Sequence, residues 1–227
     1  MSTSQPLKQV VVGEPAMQGE LAVASDAKAL VLIVHADSLS RRDPGHRFIA
    51  DVLRAHDLGT LAFSLRTPDE ELARAPSPSV AEANARIGSV IEWIARRPAL
   101  ADRCVALFGM AGAVPGCVAA AAQGGSRIYS LVLQDGRFDL VGRELKRLRA
   151  PTLLIVGGTD PRRSALNRDA MKVMKCRHRL EVLPQATQPR AATGAHEAIA
   201  CAAVAWLAQS PPPLATRSPL EAELSHP

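Results

Sequence analysis

One stretch, residues 103–123, constrains the fold more than any other part of the chain. It reads R-C-V-A-L-F-G-M-A-G-A-V-P-G-C-V-A-A-A-A-Q. We interpret Cys104 to Phe108 as a buried strand, residues 109–113 as a sharp turn, and the alanine-rich remainder as a helix. Pro115 suits the first turn of that helix, where its missing N–H removes no hydrogen bond. A strand that passes directly into a helix indicates a protein of the α/β class.

The rest of the chain repeats this alternation. Short apolar runs predict further strands at Ala29 to His35, Thr60 to Leu65, Ile128 to Leu133, Pro151 to Val156 and Arg179 to Leu183. Apolar residues at helical spacing predict helices between them, including Val80 to Arg97, Leu140 to Leu148, Ala165 to Lys175 and Gly194 to Ala208. Gln9 to Gly13 and Glu20 to Ala24 predict an opening antiparallel pair. Residues 36–44 are interpreted as a polar loop, and residues 66–79 as a polar loop with one helical turn as the alternative. The pattern predicts a three-layer, mostly parallel sheet with helices on both faces and no cap domain.

Length and composition favour one folded domain. The chain has 227 residues, of which 47% are hydrophobic, which suits a single α/β core. We place this domain at residues 19–209, after an N-terminal segment of residues 1–18. The tail, residues 210–227, begins with a run of prolines and lacks apolar periodicity, so we expect it to be disordered.

Charge and cysteine usage exclude several functional classes. The net charge of +5 comes without a dense run of Lys and Arg interleaved with aromatics, so nucleic-acid binding is not expected. The four cysteines form no C-x-x-C pair, and the sequence therefore predicts neither a metal site nor a cofactor. No secretory signal or membrane-spanning run is recognisable, which favours the cytoplasm and excludes a membrane partner. The oligomeric state is left open.

The turn after the central strand resembles a nucleophile elbow, G-x-S-x-G, in which a strained turn presents a catalytic serine. Here the serine position holds Ala111, and Ala113 stands in place of the second glycine. With this turn, the P-T-L-L-I-V-G-G-T-D segment and the closing helix, residues 20–208 resemble the dienelactone hydrolase-like branch of the α/β-hydrolases. Some members of that branch are fused to a phosphoribosyltransferase domain, which we do not expect within these 227 residues beside the hydrolase domain.

Local motifs carry the resemblance. The family's H-G-S-G-S-S-R loop is matched by H-A-D-S-L-S-R from His35 to Arg41, in which Ala36 and Ser38 replace glycines. The segment from Leu65 to Glu71 is similar to the family's L-x-T-x-x-E-E, and Asp135 to Leu140 is similar to its G-R-x-D-L.

The resemblance also implies where catalytic groups should lie. Asp160 occupies the position of the triad acid and Gln188 that of the histidine base, while Ala36 and Gly112 are candidates for the oxyanion hole. Alanine has no nucleophilic atom, and a glutamine amide does not accept a proton near neutral pH. The resemblance therefore implies a relic of a triad in which Asp160 is a vestigial acid. The alternative for Asp160 is a structural role, as a helix cap or as a partner of Arg162 or Arg163.

Three functional hypotheses follow. The first is a pseudoenzyme that keeps the fold as a binding or scaffolding module. The second is a working ester or lactone hydrolase with displaced residues, using Ser38 or Ser40 as nucleophile, or a water activated by Asp160 and His35. The third is an interaction protein that docks through its proline-rich tail.

Basic side chains recur in the loops that should share one edge of the sheet. Arg41, Arg66, Arg137 and Arg162 follow successive predicted strands and are candidates for binding a small anionic ligand such as a phosphate or carboxylate. The alternative is that they point into solvent or pair with nearby aspartates. His196 is interpreted as a surface or packing residue in the first turn of the last helix, and it could replace the missing base only in a rebuilt loop.

Overall fold

The structure, a computed structural model, describes residues 6–27, 29–123, 127–157, 161–183 and 189–210; for residues 189–193 it describes the backbone alone. The strands are β1 (Lys8–Val12), β2 (Met17–Ala22), β3 (Ala29–His35), β4 (Leu58–Ser64), β5 (Val105–Met110), β6 (Ile128–Gln134), β7 (Thr152–Gly157) and β8 (His178–Leu183). The helices in those ranges are α1 (Ser38–Arg42), α2 (Pro44–Ala55), α3 (Pro68–Leu72), α4 (Val80–Ala95), α5 (Pro98–Ala101), α6 (Val114–Ala122), α7 (Gly142–Leu145), α8 (Pro161–Val173) and α9 (Pro189–Gln209).

The strands form one open sheet in the order β1-β2-β4-β3-β5-β6-β7-β8. β1 pairs antiparallel with β2, β2 pairs antiparallel with β4, and all later pairs are parallel. The mostly parallel sheet of the predicted three-layer α/β fold is thereby confirmed. β1 lies within the segment 1–18 and joins the same sheet.

Alternation along the central strands divides the core between the two faces of the sheet. Leu30, Leu32 and Val34 face a cluster that includes apolar residues of α4 and α6. Val31 and Ile33 face the other cluster, with apolar residues of α2 and α9. β3 is buried along its whole length, as a strand covered by helices on both faces should be.

Two regions interpreted as loops contain short helices: the helix in residues 36–44 was not predicted, whereas residues 66–79 contain the single helical turn that the sequence allowed. In residues 36–44, the side chain of Asp37 accepts a hydrogen bond from the backbone N–H of Ser40 and begins α1. In residues 66–79, Thr67 and Glu70 form a capping box at the start of α3. Both helices are about one turn long, and polar caps start them where no apolar periodicity announces a helix.

Candidate functional site

The turn after β5 has the backbone geometry of an elbow. β5 ends at the buried Met110, and Ala111 follows with φ +46°, in the left-handed region that residues other than glycine rarely adopt. A 3₁₀ turn covers Ala111–Ala113, and the N–H of Val114 donates to the carbonyl oxygen of Ala111. Ala111 is exposed although the strand before it is buried. The turn therefore presents residue 111 at the carboxyl edge of the sheet, where a nucleophile would stand.

The two glycine positions of the elbow have different structural requirements. A Cβ atom on Gly109 would lie 2.9 Å from Cys117 Sγ and 3.3 Å from Val114 Cα, so the close packing of α6 on β5 requires glycine there. Ala113 has φ −84° and ψ −17°, which any residue can adopt, and its methyl group is buried. The loss of the second glycine is thus compatible with an intact turn.

Ala36 and Gly112, the oxyanion-hole candidates, lie next to each other. A Cβ atom on Gly112 would be 3.4 Å from the Cβ of Ala36, an ordinary van der Waals contact. Ala36 directly follows β3, and β3 pairs with β5 from Leu30 to Val34. The pairing of these two central strands brings the loop after β3 to the elbow.

The acid and base positions cannot be placed beside the elbow. Asp160 follows β7 and precedes α8 in the chain, and Gln188 comes between β8 and α9; both lie outside the described residues. Their convergence with Ala111 stays a prediction.

The two candidate serines in the loop after β3 have different partners. Ser38 donates from its backbone N–H to Glu71 Oε1 at 2.6 Å, and its hydroxyl donates to the other oxygen of the same carboxylate. Ser40 Oγ lies 3.3 Å from His35 Nδ1. Ser38 therefore anchors the loop to α3, whereas Ser40 has an imidazole within reach.

His35 is a weak base in this setting. Its side chain is buried at the end of β3, and burial, with added repulsion from His46 and Arg41, lowers its pKa to about 3. The ring is therefore neutral near pH 7 but has little affinity for a proton.

Of the four candidate arginines, two are exposed and two form hydrogen bonds within the protein at buried or half-buried positions. Arg41 is buried and donates from Nη1 to Glu20 Oε1 at 2.6 Å, while Arg66 donates to the carbonyl oxygens of Glu70 and Ala75. Arg137 is exposed and forms a bidentate pair with Asp139, with bonds of 2.8 and 2.7 Å. Arg162 is exposed on α8, close enough to Asp139 to help lower the pKa of that carboxyl, after the larger effect of Arg137. The anionic ligand itself stays a prediction.

A cluster that the sequence reasoning missed lies beside this loop. Asp43 caps α2, His46 lies in its first turn, and His196 projects from α9 onto the same spot. The ring centroids of His35 and His46 are 5.3 Å apart, and those of His46 and His196 are 6.0 Å apart. The prediction that His196 lies in the first turn of its helix was wrong, because α9 begins at Pro189. The D-x-x-H spacing of residues 43–46 was the only sign of this cluster in the sequence. The third residue of the cluster, His196, comes from a distant part of the chain.

No family model matches the chain. The chain is similar to the crystal structure of dienelactone hydrolase from Anabaena variabilis, with 30% identity, a TM-score of 0.82, and coverage of 92% of this chain and 99% of that one. Est1E from Butyrivibrio proteoclasticus shares the fold, with 12% identity, a TM-score of 0.71, and coverage of 88% of this chain and 99% of that one.

Two Mycobacterium tuberculosis proteins, from strains CDC 1551 and H37Rv and provisionally named phosphoribosyl transferases, are 34% identical over 198 residues. The match covers 87% of this chain but spans about half, 45%, of the length of these relatives. The match to the Anabaena variabilis dienelactone hydrolase, at 30% identity, extends over nearly the whole of both chains. The chain belongs to the dienelactone hydrolase family of α/β-hydrolases.

Proposed function

We propose that this chain is a dienelactone hydrolase-family domain that does not turn over esters or lactones and acts as a binding or scaffolding module. The observation that carries the proposal is Ala111, exposed in a left-handed elbow at the nucleophile position. A methyl group has neither a lone pair nor an ionisable proton, so no acyl-enzyme can form at this residue. The glutamine at position 188, where the family has its base, supports the same conclusion.

Hydrogen bonds and an ion pair fix the loops that follow β3 and β4, which supports a retained binding site over a degraded one. Glu71 fixes the loop after β3 through Ser38, and Glu70 pairs with Arg86 at 2.6 Å. That pairing, together with the backbone N–H of Thr67, lowers the pKa of Glu70 to about 2. Loops that are firmly held around an elbow without a nucleophile can still form a binding site, because the fold does not fix the function.

The proposal is tested first by activity. The purified protein should show no labelling by a fluorophosphonate probe and no hydrolysis of p-nitrophenyl esters. Labelling that maps to any serine would contradict the proposal.

Restoration tests whether only the catalytic atoms are missing. We expect the double variant Ala111→Ser with Gln188→His to gain probe labelling at residue 111 and esterase activity, because nucleophile and base are then both present. Ala111→Ser alone is the matched control and should remain far less active, since its hydroxyl lacks the base. An inert double variant that is correctly folded would mean that the cleft has been remodelled as well.

A second candidate is a hydrolase with Ser40 as the nucleophile, favoured by the 3.3 Å approach of its hydroxyl to His35 Nδ1. The low pKa of His35 weighs against it, because a base that is already a poor proton acceptor gives a serine little activation. If probe labelling or esterase activity is found, Ser40→Ala should abolish it, and Ser38→Ala is the matched control.

As ligand, we propose a small anion held near the exposed Arg137 and Arg162. Phosphorylated and carboxylated metabolites should raise the melting temperature of the protein, and the double variant Arg137→Gln with Arg162→Gln should lose that effect. Arg168→Gln, also on α8, is the control.

A further inference from the structure

We propose that Asp43, His46 and His196 form a binding site for a divalent transition metal ion, with Zn²⁺ the best fit. One donor atom from each of the three residues lies within 4.8 Å of the other two, in the part of the chain that the structure describes. One carboxylate and two imidazoles are ligands that Zn²⁺ accepts readily. This inference is independent of whether the elbow is catalytic.

The site joins two helices that are far apart in the sequence. Asp43 and His46 lie at the start of α2, and His196 belongs to α9, which packs beside α2 on the same face of the sheet. At the contact, a Cβ atom on Gly45 would lie 2.2 to 2.4 Å from three ring atoms of His196. Only glycine allows the ring to approach the backbone between the other two ligands so closely.

The hydrogen bonds of His46 prepare it as a ligand. Its Nδ1 is 2.7 Å from the carbonyl oxygen of Ser40, and a carbonyl only accepts, so Nδ1 carries the proton. Nε2 then bears the free lone pair that a metal requires. A backbone carbonyl that holds the second ring nitrogen is the usual outer partner of a metal-bound histidine.

Asp43 is oriented in the same way. Its Oδ1 accepts the backbone N–H groups of Gly45 at 2.8 Å and His46 at 3.2 Å, and Oδ2 is the oxygen that we assign to the metal. The carboxylate also supplies the negative charge that offsets the positive end of the α2 dipole.

The donors must close slightly around an ion. Ligands of a tetrahedral Zn²⁺ at about 2.0–2.2 Å are roughly 3.3 Å apart. Since no two donor atoms are more than 4.8 Å apart, the closure required is at most about 1.5 Å. Side-chain rotation can supply it, because neither ring is fully buried. Three protein ligands leave a fourth position for water or a ligand.

The test is metal binding by the full chain after removal of bound ions with a chelator. We expect one equivalent of Zn²⁺ per chain by calorimetry and by elemental analysis, and a higher melting temperature with the ion. Co²⁺ should give a spectrum of nitrogen and oxygen ligation with no thiolate charge-transfer band. No saturable binding, or a thiolate band that disappears in Cys201→Ser, would overturn the proposal.

Substitutions locate the site. Asp43→Asn keeps a good helix cap but removes the anionic ligand. We expect this variant and His196→Gln each to weaken Zn²⁺ binding by at least about tenfold. His56→Gln is the control, because His56 is an exposed histidine just beyond the other end of α2. Equal affinity in Asp43→Asn, His196→Gln and His56→Gln would contradict the assignment, and melting curves in chelator would show that the variants are folded.

Discussion

The left-handed backbone of Ala111 makes a quantitative prediction about stability. An L-residue in this conformation costs roughly 1–2 kcal/mol, and glycine avoids that cost. Glycine also gives the unfolded chain more freedom, which costs about 0.5–1 kcal/mol. The exposed methyl of Ala111 contributes little packing. We therefore expect Ala111→Gly to raise the free energy of unfolding by about 0.5–1 kcal/mol, with the melting temperature rising by roughly 1–4 °C.

Denaturant unfolding with matched variants measures this effect. Ala73→Gly is the control, because Ala73 is also exposed but has an ordinary φ of −74°. This variant should lose about 0.5–1 kcal/mol of unfolding free energy. Ala111→Ser keeps the left-handed strain and should change stability little. A loss of stability in Ala111→Gly similar to that in Ala73→Gly would refute the left-handed elbow.

Three further predictions concern the frame of the site. Arg41→Met leaves the buried carboxylate of Glu20 with only the longer contacts of Gln9 at 3.4 Å and the half-exposed Arg47 at 3.5 Å, and should cost about 3 kcal/mol. Arg96→Met, in an exposed pair, should change stability by less than about 1 kcal/mol, and similar losses in both variants would contradict the buried pair. The pKa of Glu70 is lowered in the fold to about 2, so its contribution is present above pH 4.5 and is lost as the pH falls towards 2. Glu70→Gln should therefore flatten the fall in stability over that window in acid titrations, and an unchanged slope would count against the ion pair. Gly109→Ala should cost about 1–3 kcal/mol in denaturant unfolding, and less in a Cys117→Ala background, because the added methyl meets that thiol; strictly additive losses would exclude this clash.

Local sequence patterns predicted the architecture well because the architecture depends on local periodicity. β3 has the predicted bounds, Ala29–His35, and the elbow strand was displaced by only one residue at its start and two at its end. The one-turn helix α1 was missed, and α3 was foreseen only as an alternative turn within a loop, because side-chain caps at Asp37 and Thr67 determine these helices and such caps resemble ordinary loop residues in a sequence.

That the elbow carries alanine, without a nucleophilic atom, could be read from one residue, because the identity of residue 111 and its place after a strand are both local. Sequence reasoning could not tell which elbow glycine is required. That depends on α6 lying against β5, where a Cβ on Gly109 meets Cys117 while Ala113 fits in an ordinary conformation. Burial raises the pKa of the Cys117 thiol, as expected of a core residue that packs against Gly109.

The sequence by itself thus determined the class of fold, the family and the absence of a nucleophilic atom at the elbow, since each follows from residue types and their short-range order. Tertiary structure decided which charged groups are buried and which remain exposed. Arg41 turns inward because a buried carboxylate on β2 needs a partner, although its sequence position favoured the rim. The same packing brings His196 on α9 to Asp43 and His46 on α2, a contact between segments that no spacing rule connects.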